Sequence, residues 1–127
     1  MEWIAVVTVL ALLEYMVFAF RVGSARGTYD VPAPRISGNE IFERHFRVHQ
    51  NMMEQLVVFL PALWLFGTYV SASIGALVGV AFLVGRGLYA ASYVAEPQKR
   101  TVGFVIGFLS NVVLVLGSLG GAIMAAL

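Results

Sequence analysis

Hydrophobic and polar positions alternate along this chain in long blocks. Four apolar stretches are separated by three short polar connections. The first stretch runs from about Trp3 to Phe20, interrupted only by Glu14 and ended by Arg21. A polar connection from Gly23 to Gly38 follows. Within it Asp30-Val31-Pro32-Ala33-Pro34 disfavours helix and favours an extended path. Ser37 is followed three residues later by Glu40, the spacing of a capping box, so a second helix is expected from about Gly38 to Phe66. Such a helix is roughly 43 Å long, more than the ~30 Å hydrocarbon layer, and its charged first turns are expected to project from the membrane. Pro61 lies inside it and is expected to kink it. A turn at Tyr69–Ser73 leads to a third stretch, Ile74 to Tyr93, which carries Arg86. Glu96-Pro97-Gln98-Lys99-Arg100 forms the last turn, and a fourth stretch, with Asn111 its one strongly polar side chain, runs from about Val102 to Leu127.

Composition turns this pattern into a class. Of 127 residues, 60% are hydrophobic and 12% charged, and mean hydropathy is +0.87. Soluble domains are nearer half apolar and a quarter charged. The expectation is an all-α integral membrane protein, a four-helix bundle in one domain spanning residues 1–127. At about 20 residues per span, no length is left for a soluble domain. The first apolar stretch has no basic segment before it and no evident small-residue cleavage site, so it reads as a retained span. Net charge is +1, which gives no electrostatic footprint for nucleic acid, and none is expected as a partner. Cysteine is absent. That removes disulfides, thiolate metal sites and a protein thiol nucleophile, so any thiol chemistry must use a thiol brought by a ligand.

Basic residues cluster in or beside the first and third connections: Arg21, Arg26, Arg35, Arg44, Arg47, Lys99 and Arg100. The positive-inside rule then places those loops in the cytoplasm and both termini on the opposite side. Trp3, Trp64, Tyr69, Tyr89 and Tyr93 near span ends are candidates for interfacial anchors. Glycines at four-residue spacing, Gly75/Gly79, Gly103/Gly107 and Gly117/Gly121, permit close helix contact within or between subunits.

Candidate chemistry concentrates at the start of the second helix, where charged groups enter an apolar run at a cost of a few kcal/mol each. On a helical wheel Asn51 lies about 40° to one side of Arg47 and Glu54 about 20° to the other, with Glu43 and Arg44 flanking one turn earlier. A guanidinium, an amide and a carboxylate in one column suit a zwitterionic ligand, and arginine grips carboxylates in a bidentate fashion. A self-satisfying Arg–Glu network is the alternative. Arg86, Tyr89 and Tyr93 share a face of the third helix, with Arg100 just beyond it. For Arg86 a ligand site and snorkelling to headgroups stand level. His45 and His49 are four residues apart, but no acidic third ligand is evident and no metal site is expected.

Phe42-Glu43-Arg44, preceded by Gly38 and followed by Phe46, Asn51 and Glu54, resembles the signature of the membrane-associated proteins in eicosanoid and glutathione metabolism. Microsomal glutathione transferases, leukotriene C synthase and the lipoxygenase-activating protein belong to that family. The similarity extends over all four spans with matching loop lengths. It continues in Ser24-Ala25-Arg26 and in Arg86, Tyr89, Tyr93 and Arg100. His45, Val48 and His49 depart from the signature. The resemblance implies a homotrimer of four-helix bundles, with glutathione as cosubstrate bound between neighbouring subunits near the cytoplasmic side. Carried over by motif, Arg26, Arg47, Asn51, Glu54, Arg86, Tyr89 and Tyr93 would line the glutathione site. Arg100 matches the arginine that faces the thiol in the synthase branch. Gln55 stands where that branch has tyrosine, and Gly27 where it has a second arginine. The implied activity is a glutathione transferase, with peroxidase activity toward lipid hydroperoxides as an extension, acting on a lipophilic electrophile that enters from membrane lipid. A non-catalytic lipid-binding or scaffold protein of the same fold is the rival reading. A small transporter is a third, motivated by the charged groups at membrane depth.

Overall fold

The computed structural model covers residues 1–127 and contains four long helices and no strands: α1 (Glu2–Tyr29), α2 (Glu40–Tyr69), α3 (Ala72–Ala95) and α4 (Thr101–Ala126). A single 3₁₀ turn, Pro97–Lys99, joins α3 to α4. All four helices are long and apolar enough to cross a membrane.

Two expected boundaries are corrected. Helix α1 does not stop near Phe20 but continues through Gly23-Ser24-Ala25-Arg26 to Tyr29, because Val22 and Ala25 are buried against Val31 and Phe42 in a small second core. Arg21, Ser24 and Thr28 of this extension are exposed, and the segment is helix, not loop. Asp30, in the left-handed region at φ 55°, ends it. The cap of α2 is Asn39, not Ser37: the Asn39 side chain accepts from the Phe42 N–H at 2.9 Å. Glu40 instead pairs with Arg44 at 3.2 Å, one turn on. Helix α2 runs unbroken through Pro61.

The core is a seam of large side chains at helical spacing. Ile4, Val7, Ala11 and Phe18 on α1 meet Val48, Met52, Leu56, Phe59, Leu63 and Phe66 on α2, with Phe82 and Tyr89 on α3 and Leu114 on α4. Phe59 and Phe82 stack nearly parallel at 3.9 Å between ring centroids. All three glycine pairs face neighbouring helices of the same bundle. Gly75 and Gly79 lie under α1 and α2 side chains, and Gly117 and Gly121 lie against Phe66 and the Tyr69 backbone. Gly103 is the tightest: a Cβ there would enter the backbone of Tyr89 and stand 2.7 Å from the Gly85 carbonyl oxygen. That contact presses the start of α4 onto the second half of α3, where the candidate residues sit. The outward faces, from Trp3 and Leu12 to Leu116 and Ile123, are apolar and exposed, as surfaces in contact with lipid or other helices require.

Candidate functional site

A cavity of about 520 Å³ opens where α2, α3 and the start of α4 converge, lined by Arg47, Asn51, Tyr89, Tyr93, Arg100, Thr101 and Phe104. Its volume lies in the ~300–1,000 Å³ range of small-ligand sites. Five of the eight side chains singled out from the sequence meet here, drawn from α2, α3 and the residue that precedes α4.

Each is positioned by identifiable local structure. Arg47 and Asn51 are one turn apart on α2, each immediately preceding a buried residue, Val48 and Met52, so they lie beside that buried stripe. Tyr89 and Tyr93 are one turn apart on α3, and their rings stack at 5.5 Å. Tyr89 is 4% exposed, so its role is not that of an interfacial anchor. Arg100 follows the 3₁₀ turn, and its guanidinium donates to the Pro97 carbonyl at 2.8 Å. Helix α4 begins at Thr101 without a side-chain cap, so the positive end of its dipole also lies at the cavity. Two guanidiniums, a helix N-terminus, two phenols and an amide face this space, and no carboxylate lines it. The lining is therefore cationic, and guanidinium groups are the side chains that pair with carboxylates in a bidentate fashion.

Arg86 lies behind the cavity, not in it. It is 1% exposed, which removes the snorkelling alternative. Its guanidinium donates to the Asn51 side-chain oxygen and lies 4.3 Å over the Tyr89 ring. One buried cation thus holds two cavity-lining residues in place. Its Nε has no partner. Glu14, whose Oε1 is also buried and unpartnered, approaches the same stretch of α3, its Oε2 lying 3.5 Å from where a Gly87 Cβ would be.

Arg26 and Glu54 stand elsewhere. Arg26 donates to the Val31 carbonyl at 3.2 Å and to that of Arg35, and it covers the Phe42 ring at 4.9 Å. It is the clamp on the first connection. Glu54 is exposed on α2, outside the cavity. Glu43 and Arg44 leave the column as well. Arg44 donates to the Val94 carbonyl at 3.0 Å, tying α2 to α3, and Glu43 accepts from the Gly38 N–H at 3.4 Å. His45 and His49 face α1: His49 stacks on Tyr15 at 4.5 Å, and His45 shares a groove with Phe18, Arg21 and Val94. No three His, Cys, Asp or Glu side chains group as metal ligands. Thr101 and Phe104 line the cavity without a sequence signal of their own, since threonine and phenylalanine at a span end are ordinary membrane-helix residues.

Fold and cavity together define a four-helix membrane protein with a cavity lined by two arginines and two tyrosines where α2, α3 and the start of α4 converge. Comparison with known proteins gives the class its family. The MAPEG family model matches residues 4–120, so the chain belongs to the MAPEG family. Microsomal glutathione S-transferase 2 of Homo sapiens is 36% identical over 119 residues, covering 92% of this chain and 80% of that protein. Leukotriene C4 synthase of Rattus norvegicus is 37% identical over 97 residues, 76% of this chain and 65% of that protein. An uncharacterised protein of Synechocystis sp. is 48% identical over 117 residues, 92% of this chain and 85% of that protein.

Proposed function

We propose that this chain is a membrane-bound glutathione transferase. The observation that carries the reading is the single cavity shared by Arg47, Asn51, Tyr89, Tyr93 and Arg100. Glutathione brings two carboxylates, an ammonium and the thiol that this cysteine-free chain lacks. Arg47 grips a carboxylate, Asn51 and the two tyrosines hydrogen-bond the peptide, and Arg100 faces the thiol. Such a thiol has a pKa near 8.5 and is mostly protonated at neutral pH. A guanidinium beside it favours the thiolate, and a shift of ~2 units corresponds to ~2.7 kcal/mol of differential stabilisation. The thiol proton passes to water, the thiolate sulfur bonds to the electrophilic carbon of a lipophilic substrate arriving from the bilayer, and the bond from that carbon to its leaving group breaks, the group departing with the electron pair (chloride, for an aryl chloride).

Arg26 and Glu54 lie outside the cavity of one subunit. Their share in the site therefore requires a second copy, and we propose the homotrimer as the working assembly, with glutathione between neighbours. The basic first and third connections support placing this end of the bundle in the cytoplasm.

The test is paired. Calorimetry on purified protein should give saturable glutathione binding. With 1-chloro-2,4-dinitrobenzene as electrophile, Arg100→Ala should lower kcat about 100-fold while glutathione affinity stays within a few-fold. Equal losses in both quantities would remove Arg100 from thiol activation. Absence of glutathione binding would favour the lipid-binding reading of the fold.

A further inference from the structure

Most cations of this chain are already engaged. Arg26, Arg44, Arg86 and Arg100 each donate to a protein oxygen, Lys99 pairs with Glu96, and Arg47 lines the candidate site. Arg21 makes no hydrogen bond or ion pair to the protein. It lines a separate cleft of about 250 Å³ between the end of α1 and the start of α2, together with Ser24, Thr28, Tyr29 and His45. No carboxylate lines this cleft. The Thr28 hydroxyl donates to the Ser24 carbonyl at 3.1 Å, but the Ser24 hydroxyl and the His45 imidazole bond to nothing in the protein. A guanidinium, a hydroxyl and an imidazole N–H are therefore free to donate to one anion.

The cleft stands at the head of an apolar face. Leu10, Leu13 and Val17 fall at three- and four-residue spacing below Phe20 and Arg21, and Ser24 and Thr28 continue the line above. Leu10, Leu13 and Val17 are exposed, and Phe20 is 76% exposed. From Arg21 down to Leu10 the helix descends about 16 Å, roughly half of the ~30 Å hydrocarbon layer. An anionic head in the cleft with an acyl chain laid along this face therefore fits one leaflet in length. A free phosphate would use the cleft and leave the face bare. Glu14, the acid within reach of this face, lies about 10 Å below Arg21 and turns toward Gly87 on α3, so it does not neutralise the head of the site.

We propose that this face of α1, closed at its head by Arg21, Ser24 and His45, is a binding site for an anionic phospholipid. The guanidinium takes the phosphate, the Ser24 hydroxyl and the His45 imidazole donate to its remaining oxygens, and the acyl chain covers Val17, Leu13 and Leu10. A choline lipid brings its own cation, and the cleft has no carboxylate to hold it, so a lipid of net negative charge is selected. The site is separate from the cavity of Arg47 and Arg100 and does not depend on the glutathione reading.

The test is native mass spectrometry of the whole protein in a mild detergent, titrated with phosphatidylglycerol and with phosphatidylcholine of identical acyl chains. Wild type should bind phosphatidylglycerol about tenfold more tightly. Arg21→Gln should abolish the preference, Arg21→Lys should keep part of it, and Ser24→Ala should reduce it about threefold. Ser24→Ala, a small change at an exposed helix position, carries the test should Arg21→Gln fail to fold. Arg35→Gln, which removes an exposed cation outside the cleft, should leave the preference unchanged. Glycerol 3-phosphate at the same concentration should not displace the lipid. Equal binding of the two lipids by wild type overturns the proposal, as does an unchanged preference in both Arg21→Gln and Ser24→Ala. A loss in Arg35→Gln as large as in Arg21→Gln would show unselective charge attraction and overturn it too, and displacement by glycerol 3-phosphate would overturn the assignment to a lipid.

Discussion

Helix α2 carries two polar faces that look equally anomalous in a membrane helix, and they are used in opposite ways. One face presents Arg47 and Asn51 to an open space that Tyr89, Tyr93 and Arg100 also reach. The other presents His45 and His49 to α1, where His49 is covered by the Tyr15 ring. The histidines are the more conspicuous residues chemically, yet they belong to no group of three metal-ligating side chains: His49 lies against an aromatic ring, and His45 borders a separate space of about 250 Å³ with Arg21, Ser24 and Thr28. The arginine face converges with like-charged and hydrogen-bonding groups from two other helices on an unfilled volume. Polarity at depth marks a place to look, and convergence of unsaturated donors on a cavity separates a site from a packed face.

The comparison can be broken at its base through Gly103, which lets α4 close onto α3. Gly103→Val should force these helices apart, lower the unfolding temperature by about 5 °C or more, and abolish glutathione binding. The Tyr15–His49 contact, which uses neither helix, should survive. A Gly103→Val protein with intact binding would show that the cavity does not depend on the close approach. Next in size, Arg47→Ala should weaken glutathione binding by roughly 10- to 100-fold, the loss of a charge-assisted hydrogen bond worth about 1.5–3 kcal/mol. Calorimetry reads this directly. Arg86→Met probes the support behind the cavity. Replacing a buried cation by a side chain of similar bulk need not destabilise the bundle, so the melting temperature should hold within a few degrees. Asn51 and Tyr89 lose their anchor, however, and glutathione affinity should fall about tenfold. Lysine should not rescue it, because an ammonium cannot reproduce the fork that reaches Asn51 while lying over the ring. The smallest change is expected at His49→Phe, which keeps the ring stack; affinity and turnover should stay within about twofold. A large loss there would overturn the distinction between the two faces.

The four spans were legible because hydropathy over twenty residues is a strong signal, and the Arg47–Asn51 half of the site because both sit at one helical spacing. Other features depended on what lies opposite. Ser24 and Arg26 are polar enough to read as loop, and only the burial of Val22 and Ala25 against Val31 and Phe42 shows why the helix continues. Ser37 and Asn39 are both good caps, and the glutamate three residues after Ser37 favoured the wrong one. For Arg86, the sequence placed it on a face with Tyr89 and Tyr93 but could not give its depth, which depends on Asn51 lying across from it on α2. Glu54 continues the Arg47–Asn51 column in projection, yet it is exposed on α2 and does not line the cavity.

The Arg26 clamp has a consequence for how freely the first connection can change. Its guanidinium bonds backbone carbonyls at positions 31 and 35, and every residue type supplies a carbonyl. Residues 32 to 38 are exposed, and the clamp is indifferent to their side chains so long as the segment keeps its length and path. Val31, 1% exposed, and Gly38, at a φ of 124° where a Cβ would meet the Arg35 guanidinium, are the exceptions. Tolerance and constraint in this segment are therefore divided between its side chains and its backbone, and the arginine that fixes the backbone lies outside it, on the preceding helix.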